Sequence, residues 1–110
     1  MRQTYHKLVR DRIPEIIRKQ GKTCEVVILS EHEYRQALLQ KLREEAEEVA
    51  TASPGHLLTE LADLYEVLDA LMVSYKIDPN ALLLEQDQRR AQRGGFEERV
   101  QLVWVDDCSS

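Results

Sequence analysis

The chain has 110 residues, with 15 Lys and Arg against 20 Asp and Glu, for a formal net charge of −5. That length makes one domain, residues 1–110, the default and limits the core to modest size. The acidic balance argues against a stable nucleic-acid partner, the two cysteines, Cys24 and Cys108, fit a reducing compartment, and the lack of a signal core or a bilayer-length apolar run points to a cytoplasmic protein with no membrane partner.

Residues 4–13 are mixed in character and read as extended or coil. A short helix is expected from about Asp11 to Gln20, with Pro14 tolerated in its first turn and Gly21 ending it. Glu25-Val26-Val27-Ile28-Leu29 is a short β-favouring run. Ser30-Glu31-His32-Glu33 then carries the spacing of a capping box and opens a long helix to about Ala52. Its apolar stripe is Tyr34, Leu38, Leu42, Ala46 and Val49, recurring every three or four residues.

Ser53-Pro54 reads as a helix cap followed by proline at the first helical position. The second long helix runs to about Lys76 and is apolar nearly all round, so it needs burial on more than one side. In so small a chain, a second copy is the expected cover. A third helix starts at Asp78-Pro79 and stops at Gly94-Gly95, and Arg99 to Val105 reads as a strand able to pair with residues 25–29. The tail from Asp106 to Ser110 is expected to fray. The expected fold is therefore all-α, an antiparallel helical bundle completed by oligomerisation, with a small β-hairpin or two short strands.

Charge is unevenly distributed. Residues 1–22 carry seven Lys and Arg against Asp11 and Glu15, whereas residues 31–69 carry ten acids against Arg35, Lys41 and Arg43. A basic arm beside an acidic segment suits a polyanionic substrate that chelates a metal. Glu45 and Glu48 lie one turn apart on one long helix, and Glu60 and Asp63 one turn apart on the next. Folding the chain back at Pro54 sets residue 48 opposite 60 and 45 opposite 63. Four converging carboxylates repel one another unless a cation intervenes, and Mg²⁺, with Mn²⁺ as a substitute, takes oxygen ligands.

Glu-rich helices are also common as solvated faces. Here Glu44 and Glu48 are like charges four residues apart, which destabilises a bare helix. Neither Glu60 nor Asp63 has a Lys or Arg within four residues. These acids fit a metal site better than a solvated face. Glu44 neighbours the ligand pair without belonging to it and is the candidate general base.

The segment Lys41-Leu42-Arg43-Glu44-Glu45-Ala46-Glu47-Glu48, followed by Glu60-Leu61-Ala62-Asp63, resembles the EExxE…ExxD pattern of the all-α NTP pyrophosphatases. That superfamily includes MazG-like enzymes and the phosphoribosyl-ATP pyrophosphohydrolases of histidine biosynthesis. Lys7-Leu8-Val9-Arg10-Asp11-Arg12-Ile13-Pro14 and Arg93-Gly94-Gly95-Phe96 resemble a small MazG-like, house-cleaning branch. The resemblance covers nearly the whole chain. It implies a subunit-assembled helical bundle that uses Mg²⁺ to hydrolyse a nucleoside triphosphate to monophosphate and pyrophosphate. It also implies Glu45, Glu48, Glu60 and Asp63 as metal ligands, with Glu44 auxiliary. One departure is the spacing, since eleven residues separate Glu48 from Glu60, at or just below the family's usual minimum.

Lys7, Arg10, Arg12, Lys41 and Arg93 are candidate phosphate contacts, with Arg89 and Arg90 nearby. Each has a plainer reading. Arg10 and Asp11 can form a structural ion pair, and Lys41 can merely damp the repulsion between Glu44 and Glu45. Glu66 and Asp69 continue the acidic spacing but rotate away from Asp63, with Glu66 a peripheral ligand candidate. His6, His32 and His56 share no metal spacing, and Cys24 and Cys108 lack the pattern of a thiol nucleophile. Trp104 and Phe96 suit base stacking or core packing. No Gly-rich phosphate loop is present in the sequence. The competing functions are a phosphoribosyl-ATP pyrophosphohydrolase and a non-catalytic bundle that binds metal or nucleotide.

Overall fold

The computed structural model describes residues 2–107. Four helices follow in order: α1 (Ile13–Lys19), α2 (Glu31–Thr51), α3 (Leu57–Ser74) and α4 (Pro79–Arg93). There is no strand among the described residues. The chain divides into two compact units, the first running to Ile77 and the second starting at Asp78.

In the first unit, α2 and α3 form an antiparallel hairpin. The α2 N-terminus is closed by the expected capping box: the Glu33 backbone N–H donates to Ser30 Oγ at 3.2 Å, and the Ser30 N–H donates to Glu33 Oε1 at 3.3 Å. Two otherwise unpaired helix-end donors are satisfied this way. The Ser30 hydroxyl also donates to Glu33 Oε1 at 2.8 Å, and these bonds hold the Glu33 carboxyl below its usual value. Leu38 of α2 and Val67 of α3 are the buried apolar residues where the two helices meet. Tyr34, Leu42 and Val49 of the expected stripe are half-buried, whereas Ala46 is exposed.

The far end of the hairpin is tied by Arg35. Its guanidinium donates to Ser74 Oγ at 3.0 Å and to the Ser74 carbonyl at 2.6 Å, and stacks 4.5 Å from the Tyr75 ring centroid. These bonds join the start of α2 to the end of α3, which fixes both antiparallel direction and register. The carbonyls at the end of α3 are closed by backbone bonds from Lys76 N–H to Val73 and from Ile77 N–H to Met72, at 3.2 and 2.8 Å. That is a Schellman ending with lysine where glycine is usual, and Lys76 has a φ of 57°.

The turn between the helices differs from the expected cap. Ser53 does not cap α3, which starts at Leu57 with His56 at the cap position. Ser53 instead accepts the His56 N–H at its carbonyl, at 2.9 Å, and its hydroxyl lies 2.9 Å from His56 Nδ1. Ser53 and Pro54 are spent on reversing the chain before helix geometry resumes, a consequence of the short connection.

The expected β-hairpin, or pair of short strands, is not formed. Residues 25–29 and 99–105 lie outside regular structure, and no ladder hydrogen bond serves either segment. Apolar β-branched residues favour a strand only where a neighbour supplies the ladder, and an isolated two-stranded pairing is marginal in water. Cys24 is half-buried, its thiol 3.9 Å from the Pro14 carbonyl. Cys108 and the last residues of the tail lie outside the described residues.

The second unit holds α4, which begins and ends as its sequence signals. Asp78 accepts the Asn80 N–H at 2.9 Å, Pro79 occupies the first turn, and Gly94 closes the helix at a φ of 83°. Every described residue from Asp78 onward is exposed.

Candidate metal centre and its flanking clefts

The α2–α3 register brings Glu45 of α2 to Glu60 and Asp63 of α3. One carboxylate oxygen from each lies within 4.8 Å of the other two, and all three residues are half-buried. The expected pairing of residue 45 with 63 is thus present. The fourth expected ligand, Glu48, is exposed and stands outside this triad. Glu48 is displaced about 60° around α2 from Glu45, to the exposed side of that helix, whereas the same step on α3 leaves both Glu60 and Asp63 at the triad. Three hard oxygen donors on two rigid helices fit a divalent cation of the Mg²⁺ class, which takes a few carboxylates and leaves other positions to water and phosphate.

Two basic residues reach the triad. Arg10 Nη2 donates to Asp63 Oδ1 at 2.7 Å, across 53 residues of sequence. The alternative pairing of Arg10 with its neighbour Asp11 is therefore not what organises the arm. Lys41 Nζ lies 3.7 Å from Glu45 and 3.5 Å from Glu44. It bridges two acids on its own helix, which offsets the repulsion between them.

The N-terminal arm, residues 2–12, runs beside the hairpin and creates two clefts. The larger, of 270 Å³, is lined by Glu45 and Asp63 together with Leu8, Val9, Tyr34 and Val67. Glu66, expected to rotate away from Asp63, borders the same cleft, as does Asp11. The smaller, of 100 Å³, is lined by Glu44, Lys7, His6 and Gln40. Lys41 lines both clefts. Glu44, the candidate general base, therefore lines the adjoining cleft, as does Lys7, and is paired with Lys41.

Arg12, in the first unit, lines neither cleft. It pairs with Glu15 at 3.4 Å on the α1 side. Arg93 lies in the last turn of α4, in the second unit, together with Arg90. Sequence reasoning missed the part played by Leu8, Val9 and Tyr34 in shaping the larger cleft. Tyr34 was legible only as one member of an apolar stripe, and nothing local in Leu8-Val9 says which surface they cover.

The family model for phosphoribosyl-ATP pyrophosphohydrolase matches residues 3–90, so the chain belongs to that family. The matched segment contains the arm, the triad and both long helices. A Mycolicibacterium smegmatis protein described as uncharacterized is 52% identical over 46 residues, 42% of this chain and 47% of the relative. The match thus spans about half of that relative's length. No solved structure matches the chain. No helix among the described residues is long and apolar enough to cross a membrane.

Proposed function

We propose that the protein is a Mg²⁺-dependent nucleoside triphosphate pyrophosphohydrolase, releasing the monophosphate and pyrophosphate. The observation that carries this reading is the convergence of Glu45, Glu60 and Asp63 beside a cleft with apolar walls. Family membership supports the reaction class. Glu45, Glu60 and Asp63 would hold the ion, with Glu48 able to swing in from the exposed edge. The bound ion would supply charge neutralisation at phosphate oxygens.

The chain's own residues supply the rest. The apolar wall formed by Leu8, Val9, Tyr34 and Val67 can receive a base, an arrangement common in small-molecule sites. Lys41 and Arg10 lie within reach of phosphate oxygens at the acidic end, and Lys7 lines the adjoining cleft. Arg12 and Arg93 remain outer candidates for the same role. In the reaction a water oxygen attacks phosphorus at the α–β anhydride, the bond to the leaving group breaks, and pyrophosphate departs. Glu44, linked to the triad through Lys41, which lies 3.5 Å from Glu44 and 3.7 Å from Glu45, is the candidate to take the proton that water gives up.

We read the two compact units as one functional domain, since the matched segment crosses their boundary at residue 78. We also read the protein as a homodimer or homotetramer. On α3 alone Leu58, Tyr65 and Val73 are 81%, 64% and 78% exposed, an apolar load that a second copy would cover. The sparse cysteine content suits the cytoplasm.

The test is pyrophosphate release from a panel of common and damaged nucleoside triphosphates with Mg²⁺, alongside Glu45→Gln and Asp63→Asn. Each substitution is expected to cut turnover by about 100-fold or more, since a catalytic ion contributes several kcal/mol. The family's name points to phosphoribosyl-ATP as the second substrate class, and it belongs in the same panel. Turnover of phosphoribosyl-ATP alone would replace the triphosphate reading. No turnover on any member, with Mg²⁺ still raising the melting temperature, would favour the non-catalytic binding bundle.

A further inference from the structure

We infer that Arg10 is a displaceable counter-ion of the acidic triad: it competes with a divalent cation for Asp63 and, once displaced, grips the phosphate chain. The inference rests on reading Glu45, Glu60 and Asp63 as the metal centre.

Asp63 is shared between two demands. Its carboxylate supplies an oxygen to the triad, and its Oδ1 accepts the 2.7 Å hydrogen bond from the Arg10 guanidinium. A dication arriving at the triad brings two further positive charges next to that guanidinium, and like charges at this range repel. One of them must move. The Arg10–Asp63 pair is built to yield, because its side chains are 54% and 38% exposed and exposed ion pairs hold weakly.

The contrast with Lys41 is instructive. Its pair with Glu45 is 21% and 15% exposed and joins residues four apart on one helix. Lys41 is held by its own helix, whereas Arg10 sits on the arm, outside any helix. Arg10 can therefore leave Asp63 by a local movement without disturbing the α2–α3 packing. Its planar fork of donors then matches two phosphate oxygens at once, which a lysine cannot do. Leu8 and Val9, immediately before it, line the larger cleft, so a displaced Arg10 stays tethered at the mouth of the site.

Competition and simple positioning predict opposite signs. If Arg10 competes with the cation, Arg10→Gln binds Mn²⁺ more tightly than the parent chain. If Arg10 only holds Asp63 in place, the same substitution weakens Mn²⁺. The experiment is calorimetric titration of the full chain with Mn²⁺ alone, and then with an α,β-methylene triphosphate analogue at saturating Mn²⁺.

Arg10→Gln should bind Mn²⁺ about threefold more tightly and the analogue about tenfold more weakly. Arg10→Lys should keep the parent's Mn²⁺ affinity but recover only part of the analogue affinity. Unchanged or weaker Mn²⁺ binding by Arg10→Gln overturns the inference, as does an analogue affinity that ignores both substitutions. Should Arg10→Gln fail to fold, Arg10→Lys decides through its analogue affinity: full parental binding overturns the inference. Asp63→Asn separates the two levels. Parental Mn²⁺ binding by that variant would sink the triad reading itself, whereas lost binding beside a wrong sign at Arg10 would sink only the counter-ion.

Discussion

The α2–α3 hairpin and the unit from Asp78 onward use the same local devices and reach different ends. Both have side-chain caps: Ser30 and Glu33 open α2, and Asp78 with Pro79 opens α4. Yet α2 and α3 bury Leu38 and Val67 against each other, while every described residue from Asp78 to Asp107 is exposed. Capping and propensity therefore fix where a helix starts and stops, and a facing surface decides whether its apolar residues leave water. Function follows the same division. The acidic triad exists because two packed helices hold three carboxylates in register, whereas Arg89, Arg90 and Arg93 stand exposed on a single helix.

The largest expected effect comes from breaking the packed side of this comparison. Leu38 is 2% exposed, so Leu38→Ala should cost about 3 kcal/mol of stability, from lost transfer energy plus a residual cavity. Urea unfolding followed by circular dichroism checks it. The triad should lose its register at the same time, so Mn²⁺ affinity should fall although no ligand has changed. A stability loss below about 1 kcal/mol would mean that α2 and α3 are not held together at Leu38.

A smaller effect tests the local devices. Ser30→Ala removes the side-chain half of the capping box and should cost about 1 kcal/mol. The pH dependence has a definite sign. Hydrogen bonds from Ser30 depress the Glu33 carboxyl in the folded chain. The resulting stabilisation is present above the ordinary glutamate value and fades as pH falls through the depressed one. Melting temperature measured against pH should therefore drop less steeply on the acid side in Ser30→Ala than in the parent.

Lys76→Gly should act in the opposite direction. Lysine at a φ of 57° carries a left-handed penalty that glycine avoids. Glycine gives part of this back through its freer unfolded state, leaving a net gain of about 0.5 kcal/mol. A melting temperature that falls instead would show that the Lys76 side chain contributes more than its backbone costs.

What the sequence made legible follows the same line. The capping box, the Asp78-Pro79 start and the Gly94 stop were readable because each depends on residues within four positions of one another. The 45–63 pairing was readable because one turn joins two periodic helices, leaving register as the only unknown. Four features were not readable. The arm's placement depends on an Arg10–Asp63 contact 53 residues apart, which no local pattern encodes. Ser53-Pro54 matched a cap but was needed for the reversal itself. Residues 25–29 and 99–105 have strand composition, but composition does not supply a ladder partner. Glu48 stands from Glu45 as Asp63 stands from Glu60, yet only the α3 pair converges; the spacing does not say which side of α2 faces α3.

The last prediction addresses the exposed side, and its effect on the isolated chain is the smallest. Leu82, Leu83 and Leu84 are consecutive on α4 and 46%, 55% and 61% exposed. Three consecutive residues span 200° of helix surface, so they cannot all point at one small neighbour. An uncovered Leu84 contributes little, and Leu84→Ser should then change stability by less than about 0.5 kcal/mol at every protein concentration. A Leu84 covered by a second copy behaves differently. The substitution then lowers the sedimenting mass, and its cost in melting temperature grows with protein concentration, because association stabilises by mass action. Sedimentation velocity and thermal unfolding over a hundredfold dilution series separate the two outcomes. The first would leave α4 as a helix defined by its ends alone; the second would make it, like α2 and α3, a helix whose apolar residues were placed for a partner.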